Sequence, residues 1–256
     1  MHYTRAIVRP PADSFAKGIS TAGLGAPDLD LARSQHAGYC RALESCGLKV
    51  AVLEPLDAYP DCCFVEDTAV LLPEMAVITA FGADSRRGEE ESVAAHLNGS
   101  LPLWRLAETA GKGRLEGGDV LLVGRQFFIG MSARTNPQGA EAFGRAVVRH
   151  GYDWTPLPVP HPPHLKTCLT WLGGKTLVGT PQLAGLPELD GYDFIATAPD
   201  ETYAACCLYL NGTILMPADH PATRAKIERL GKPVIEVPMT EFEKMDGGLT
   251  CLSLRF

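Results

Sequence analysis

Four segments of this sequence share a strand–turn–strand pattern, which limits the fold to architectures built by repetition. They are residues 67–80 (DTAVLLPEMAVITA), 118–130 (GDVLLVGRQFFIG), 167–180 (TCLTWLGGKTLVGT) and 204–218 (AACCLYLNGTILMPA). The last segment contains Asn211 followed by Gly212, a dipeptide that is strongly preferred in tight hairpin turns. Hairpins that recur every few tens of residues are typical of propellers and related arrays.

Helical spacing of apolar residues occupies most of the intervals between these hairpins. The helical segments are residues 29–47, 87–99, 136–151 and 221–231. Each of them ends in glycine, which is the residue that most often follows a helix. Because no Ser/Gly-rich linker interrupts the alternation, we expect one domain over residues 1–256.

The two ends of the sequence also have strand character but lack a local partner. Residues 3–10 read YTRAIVRP, and residues 250–256 read TCLSLRF with apolar and polar positions alternating. If these two segments pair with each other, they complete a fifth unit and close the units into a ring. Closure removes exposed sheet edges. The sequence therefore predicts a circular α/β fold of five units.

Polar residues stand directly before or at the start of these units. In a pseudo-symmetric ring, equivalent points surround one axis, so residues far apart in the sequence meet in one central cleft. A cysteine, a histidine and carboxylates that converge there would supply a nucleophile, a base and its orienting acid. Each residue alone is more often structural, and the shared position is what favours a catalytic site. The motifs are FVED (Glu66, Asp67), LEGGD (Glu116, Asp119), HLKT (His164, Lys166) and LTC (Cys251).

Net charge and hydropathy exclude several classes of partner. The formal net charge of −7 argues against nucleic acid or an anionic membrane as the main partner, and it suits a small cationic ligand. No apolar run approaches membrane-spanning length, and the first residues, MHYTRAIVRPP, lack the apolar stretch of a signal peptide.

The eight cysteines fit neither a zinc ribbon nor a compact disulfide framework, because they include two adjacent pairs and no C-x-x-C spacing. We expect most of them to be buried reduced thiols. Cys251 is the expected exception, as a reactive thiol. Reduced cysteines and the missing signal peptide lead us to expect a cytoplasmic location.

An ordered set of motifs resembles the dimethylarginine dimethylaminohydrolases, and the resemblance extends over nearly the whole chain. That family belongs to the pentein superfamily of guanidine-modifying enzymes. The resemblance implies a five-bladed β/α-propeller of ββαβ-type units with pseudo-five-fold symmetry, which agrees with the ring. The motifs are FVEDTAVL, DSRRGE, EGGDVLLVGRQFFIG, SARTNPQGAEAF, HLKT, DETYAACCLYLN and EKMDGGLTC.

The resemblance also implies an activity and a catalytic set. Methylated L-arginines would be hydrolysed to L-citrulline and an amine through an S-alkylthiouronium intermediate on cysteine. Cys251 would be the nucleophile, His164 the general acid and base, and Glu116 the residue that orients the histidine. A free thiol ionises near pH ~8.5, so a bound guanidinium beside Cys251 would favour the reactive thiolate.

Seven further positions are implied to contact substrate. Three carboxylates would line the guanidinium end, two arginines would bind the α-carboxylate, and backbone at two positions would contact the α-amino group. Residues 20–28 (STAGLGAPD) would form a lid over the site. Cys62, Cys63 and Thr250 are positions at which family members vary. In the order just given, the seven are Asp61, Glu66 and Asp67, then Arg86 and Arg134, then Ile19 and Met245.

No cofactor is expected, and no metal is required, although zinc bound by Cys251 and His164 would inhibit. The expected partner is a small molecule, methylated L-arginine, and not nucleic acid or a membrane, with the protein a monomer or homodimer. Two alternatives remain open. One is a deiminase-like hydrolase that acts on another guanidine, and the other is a non-catalytic pentein-like binding protein. The Cys-His-Glu set disfavours the second, since a binding module does not need all three residues.

Overall fold

A computed structural model of the chain describes residues 2–160 and 163–256. Within these ranges the strands are β1 (Arg5–Val8), β2 (Lys49–Val52), β3 (Ala69–Leu71), β4 (Ala76–Ile78), β5 (Leu103–Arg105), β6 (Val120–Val123), β7 (Gln126–Met131), β8 (Asp153–Pro158), β9 (Leu169–Trp171), β10 (Thr176–Gly179), β11 (Asp193–Ala196), β12 (Leu208–Leu210), β13 (Thr213–Pro217), β14 (Val234–Val237) and β15 (Ser253–Arg255). The α-helices are α1 (Leu29–Ser45), α2 (Glu89–Leu97), α3 (Leu106–Thr109), α4 (Pro137–Val148), α5 (Pro221–Glu228) and α6 (Thr240–Glu243).

Five three-stranded sheets of the same design make up the ring. In each sheet the first strand pairs antiparallel with the second, and the second pairs parallel with the third, which follows a crossover. The strand orders are β3-β4-β5, β6-β7-β8, β9-β10-β11, β12-β13-β14 and β15-β1-β2. All four predicted hairpins and the five-unit α/β architecture are confirmed.

The fifth sheet joins the two ends of the sequence, as predicted. β1 and β15 are antiparallel, with Ala6 opposite Arg255 and Val8 opposite Ser253. On its other edge, β1 pairs parallel with β2. All three residues of β15 are therefore paired within a sheet.

The turn between β12 and β13 shows why the Asn-Gly signal was informative. Asn211 and Gly212 both have positive φ angles, of 49° and 98°, as a two-residue hairpin turn requires. The Asn211 side chain also donates to the carbonyls of Tyr3 at 2.8 Å and Cys46 at 3.0 Å. One turn residue thus completes a hairpin and attaches it to the neighbouring sheet.

Helices form four of the five crossovers at the predicted segments. α1 begins after Asp28, whose carboxylate accepts the Leu31 N–H at 2.9 Å, and α4 begins after Asn136, which accepts the Gly139 N–H at 2.9 Å. The crossover from β10 to β11 contains only short 3-10 helices that begin with proline. None of the helices in the described ranges combines the length and apolar character needed to span a lipid bilayer.

The first strand of each sheet faces the axis of the ring. Residues of β3, β6, β9, β12 and β15 together line a cavity of about 120 Å³, which we call the channel cavity. A 3-10 turn leads directly into each of these inner strands, and four of the five turns carry the polar motifs noted in the sequence. The turns are Val65–Thr68, Gly117–Asp119, Leu165–Thr167, Thr202–Ala205 and Thr250–Leu252.

Candidate active site

A separate cavity of about 30 Å³ lies beside these 3-10 turns, and we call it the Cys251 cavity. It gathers eight of the ten predicted site residues, although they are spread over most of the sequence. Of the other two, Glu116 is bonded to a lining residue and Glu66 lies elsewhere. The eight are Ile19, Asp61, Asp67, Arg86, Arg134, His164, Met245 and Cys251.

His164 is held in place by Glu116. The Nε2 of the imidazole lies 2.7 Å from Oε2 of the carboxylate, and both side chains are buried. The other carboxylate oxygen accepts the backbone N–H groups of Gly82 at 2.9 Å and Ala83 at 3.3 Å. The carboxylate is therefore fixed, and it fixes the ring, which is the arrangement that the predicted orienting role requires.

The charge state of this pair follows from its surroundings. Burial raises the pKa of Glu116, but the hydrogen bond and charge of His164 outweigh burial and lower that pKa to about 2. Burial lowers the pKa of His164, but neighbouring carboxylates outweigh it and raise that pKa to about 10. These carboxylates belong to Asp67, Asp119 and Glu116. His164 is therefore an imidazolium at neutral pH and donates its Nε2–H to Glu116.

Asp119 supports His164 without lining the cavity. One of its oxygens accepts the backbone N–H of Leu165 at 2.9 Å, and the other accepts the hydroxyl of Ser132 at 2.6 Å. It thus fixes the turn that begins after His164. The sequence analysis noted Asp119 at the start of a hairpin but assigned it no role. Its position beside the other polar motifs was the one feature that could have indicated a role in the site.

Gly118, in the same motif, lets the backbone approach the histidine. A Cβ at this position would lie 2.6 Å from Oδ1 of Asp67 and 2.8 Å from Nδ1 of His164. The Gly118 N–H donates to that same Asp67 oxygen at 2.9 Å. Any side chain here would displace one of the two residues.

Cys251 is buried in the 3-10 turn directly before β15. Its Sγ accepts the backbone N–H of Gly248 at 3.3 Å. A hydrogen bond with Cys206, burial, and the carboxylates of Glu66 and Asp67 raise the pKa of this thiol well above its ordinary value. The sulfur is therefore a neutral thiol at neutral pH, and a cation bound beside it would be needed to favour the thiolate.

The two arginines predicted to bind the α-carboxylate differ in how many of their N–H groups are already hydrogen-bonded within the protein. Arg86 is buried, with Nη1 2.5 Å from an oxygen of Asp67 and with Nε and Nη2 bonded to Glu89. The side chain of Arg134 is 17% exposed, and its Nη1 lies 3.4 Å from Glu116. Within the described residues, Nε and Nη2 of Arg134 make no hydrogen bond. Arg134 therefore has more donors available for a ligand.

Asp61 holds the backbone where the lid begins. The N–H of Ile19 lies 3.1 and 3.2 Å from its two carboxylate oxygens. Burial raises the pKa of Asp61, and the charge of Arg86 opposes that shift. Asp61 thus lies beside Ile19, a residue predicted to contact the α-amino group, and its own predicted contact with the guanidinium stays a prediction.

The predicted lid is bonded to the loop that precedes Cys251. The hydroxyl of Ser20 donates to the carbonyl of Lys244 at 2.6 Å, and the N–H of Thr21 donates to Asp246 at 2.5 Å. These contacts place the predicted lid beside the Cys251 cavity, which Asp246 also lines.

Glu66 does not line the Cys251 cavity, and its predicted contact with the guanidinium stays a prediction. One of its oxygens accepts from Lys166 and Arg255, each at 2.7 Å, and the residue lines the channel cavity. Successive residues of a 3-10 turn point in different directions. Asp67 consequently faces Cys251, while its neighbour faces the channel cavity.

One cluster of possible metal ligands occurs in the described part of the chain. Single donor atoms of Asp67, Glu116 and His164 lie within 4.8 Å of one another. However, the Nε2 of His164 carries a proton that it donates to Glu116, and a metal needs a deprotonated ring nitrogen. Cys251 does not belong to this cluster, and inhibitory zinc at Cys251 and His164 stays a prediction.

Comparison with known proteins gives the family. A family model described as N,N dimethylarginine dimethylhydrolase, eukaryotic, matches residues 26–178. The N(G),N(G)-dimethylarginine dimethylaminohydrolase of Pseudomonas aeruginosa is 39% identical over 250 residues, covering 98% of each chain. The chain belongs to the dimethylarginine dimethylaminohydrolase family. The resemblance carried by the sequence motifs is thereby confirmed.

Solved structures of this family match the whole chain. A cysteine-to-serine variant of the Pseudomonas aeruginosa enzyme complexed with citrulline superposes with a TM-score of 0.96 at 38% identity, covering 100% of both chains. A histidine-to-glycine dimethylarginine dimethylaminohydrolase, as an adduct with S-methyl-L-thiocitrulline, gives a TM-score of 0.95 at 38% identity and covers 99% of this chain and 100% of that chain. The predicted pentein fold is confirmed.

Proposed function

We propose that this dimethylarginine dimethylaminohydrolase family member hydrolyses Nω,Nω-dimethyl-L-arginine and Nω-monomethyl-L-arginine. The products are L-citrulline and dimethylamine or methylamine. The observation that carries the proposal is a buried cysteine in one cavity with a buried imidazolium that a carboxylate orients. The similar Pseudomonas aeruginosa variant was complexed with citrulline, which supports the product.

The charges around the Cys251 cavity suit the two ends of a methylated arginine. Asp67 is the acceptor for the guanidinium, because it lines the cavity together with Cys251 and His164. Arg134, with Arg86 behind it, is the cationic partner of the α-carboxylate. We assign the α-amino group to the backbone of Ile19 and Met245, which line the same cavity.

Substrate binding activates the nucleophile in this scheme. The guanidinium places a positive charge beside Cys251 and lowers the pKa of its thiol, which then loses its proton to water. The thiolate attacks the guanidinium carbon, and the electron pair of one C=N bond moves to nitrogen. Of the two N–H groups of the His164 imidazolium, Nε2–H is engaged with Glu116. Nδ1–H therefore protonates the methylated nitrogen as it leaves.

The high pKa of His164 suits both of its proton transfers. Neighbouring carboxylates raise the pKa of His164, so the ring is charged at neutral pH and can protonate the departing amine. Once neutral, the same imidazole is a strong enough base to take a proton from water. The hydroxide attacks the thiouronium carbon, the C–S bond breaks, and the thiolate leaves with the electron pair.

We expect Arg134→Ala to raise KM about 10- to 100-fold and to change kcat much less. A hydrogen bond to a charged group contributes about 1.5–3 kcal/mol, which corresponds to roughly one to two decades in affinity. Arg86 is the poorer test, because its loss would leave Asp67 and Glu89 buried without their cation. The matched control is Arg145→Ala, whose side chain is 67% exposed. An unchanged KM in Arg134→Ala would remove this residue from the site.

The choice of substrate tests the proposal most directly. We expect both monomethyl- and asymmetric dimethylarginine to be hydrolysed, and symmetric dimethylarginine and arginine to be poor substrates. A methyl group on the guanidinium edge held by Asp67 would cost a hydrogen bond and leave a buried acceptor unpaired. Arginine loses only the contacts of its missing methyl groups, about 1–3 kcal/mol for each carbon.

The measurement is kcat/KM for the four compounds, followed by citrulline release. Arginine as the best substrate would instead identify a deiminase. Activity on none of the four would favour the binding-protein alternative.

A further inference from the structure

Cys206 lies directly beside the proposed nucleophile, although 45 positions separate the two in the sequence. The backbone N–H of Gly248 donates to the sulfur of Cys251 at 3.3 Å. Thr250 Oγ1 is 3.6 Å from the sulfur of Cys206 and 4.0 Å from that of Cys251. Gly248 makes room for the pair, because a Cβ there would lie 2.0 Å from the Cys206 sulfur. The two sulfurs therefore share one small enclosure of the fold.

A third cavity gives small solutes a route to Cys206. Its volume is about 210 Å³, which corresponds to several water molecules, and Cys206 contributes to its wall whereas Cys251 does not. The lining includes the polar side chains of Thr167, Thr202 and Glu243. The buried hydroxyl of Thr180, also in the wall, has no hydrogen-bond partner in the described residues. Hydrogen peroxide, which both donates and accepts hydrogen bonds, fits such a cavity.

The two sulfurs differ in reactivity toward an oxidant. The hydrogen bond from Cys251 lowers the pKa of Cys206 and outweighs the opposing effect of burial. The charged form of a thiol is the one that reacts with peroxides. Cys206 lines the third cavity whereas Cys251 does not, so Cys206 is the sulfur that meets peroxide first, and Cys251 is the thiol positioned to complete the reaction.

We propose that hydrogen peroxide converts Cys206 and Cys251 into a disulfide, which makes the pair a reversible oxidation site at the nucleophile. The sulfur of Cys206 attacks one peroxide oxygen, the O–O bond breaks, and the leaving hydroxide takes a proton to become water. The sulfur of Cys251 then attacks the sulfenic sulfur, the S–O bond breaks, and the Cys251 proton leaves with that oxygen as a second water. Two thiols lose two electrons and one peroxide gains them.

The test begins with mass spectrometry of the full chain after treatment with hydrogen peroxide. We expect a mass lower by two hydrogens and a cross-link between the peptides that contain Cys206 and Cys251. Cys207 would confuse the assignment because it is the next residue, so the mapping is done in Cys207→Ala. That substitution is also the matched control, since the Cys207 sulfur donates to the carbonyl of Ala204 at 3.1 Å.

The activity readout compares each protein with its own untreated sample. We expect citrulline release to be lost on oxidation and restored by dithiothreitol in the parent chain and in Cys207→Ala. In Cys206→Ala, Cys251 has no thiol to pair with, so its oxidation proceeds to sulfinic acid, which dithiothreitol does not reverse.

Three results would overturn the proposal: inactivation of the parent chain that dithiothreitol does not reverse, equal recovery in Cys206→Ala, or a cross-link from Cys206 to Cys168, which lines the same cavity. The measurement of citrulline release rests on the proposed function, whereas the mass spectrometry of the cross-link does not. An untreated protein without turnover would refute the proposed function. An active protein without the cross-link would refute the disulfide.

Discussion

Cys251→Ser is expected to abolish citrulline release and to leave the fold intact. A hydroxyl beside the same imidazolium is far less ionised than a thiol, and loss of a catalytic nucleophile typically lowers kcat on the order of 10⁶-fold. The fold should persist because serine occupies nearly the same volume and can keep the contact with the Gly248 N–H. Kinetics of the purified variant, with circular dichroism to confirm folding, provide the measurement.

The covalent intermediate gives this prediction a second readout. Intact-protein mass spectrometry of the parent chain, quenched during turnover, should show an adduct on the peptide that spans residues 245–255. The same experiment on Cys251→Ser should show none, and Cys207→Ser serves as the control for loss of a buried sulfur. Undiminished activity in Cys251→Ser would refute the proposed mechanism.

His164→Gly is expected to cause the second-largest loss. The substitution removes both the acid for the leaving amine and the base for water, and each such role contributes roughly 10²–10⁴-fold. Glycine also leaves space for added imidazole, which should restore part of the activity. Turnover at the parent rate would show that His164 is neither the acid nor the base.

A separate measurement distinguishes loss of proton transfer from collapse of the site. An alkylating reagent should still label Cys251 in His164→Gly, because the sulfur keeps its contact with the Gly248 N–H. The control is His150→Gly, which changes an exposed histidine that follows α4. Failure to label Cys251 would attribute the lost activity to a damaged fold.

Local patterns in the sequence predicted most of this architecture. Alternating apolar residues and turn dipeptides such as Asn211-Gly212 depend on neighbours in the chain, so the four hairpins could be predicted from them. Closure by β1 and β15 followed from the need to pair two strands that had no local partner. The 3-10 crossover between β10 and β11 was not predicted, because its two proline-led turns carry no helical period.

The sequence indicated which residues surround the candidate site, but it gave less information on which way their side chains point. The sequence could not show that Glu66 and Asp67 face different cavities, since the twist of a 3-10 turn and the surrounding cations decide which way each side chain points. It also gave no sign of Cys206 beside Cys251, because no periodic pattern connects positions so far apart. Arg86 lines the Cys251 cavity, and the sequence did not indicate that Glu89 would be the carboxylate paired with it.

The pairing of β1 with β15 determines when, during folding, the proposed nucleophile is in place. Cys251 sits in the turn that enters β15, and β15 pairs with β1, so that Ala6 meets Arg255 across almost the entire sequence. Contacts of such long range form late in folding, because chain entropy opposes them until the intervening structure exists. During synthesis, a nascent chain that stops before Cys251 contains the strands of four whole sheets but lacks the proposed nucleophile. We therefore expect the proposed nucleophile to reach its final position when the sheet of β15, β1 and β2 assembles.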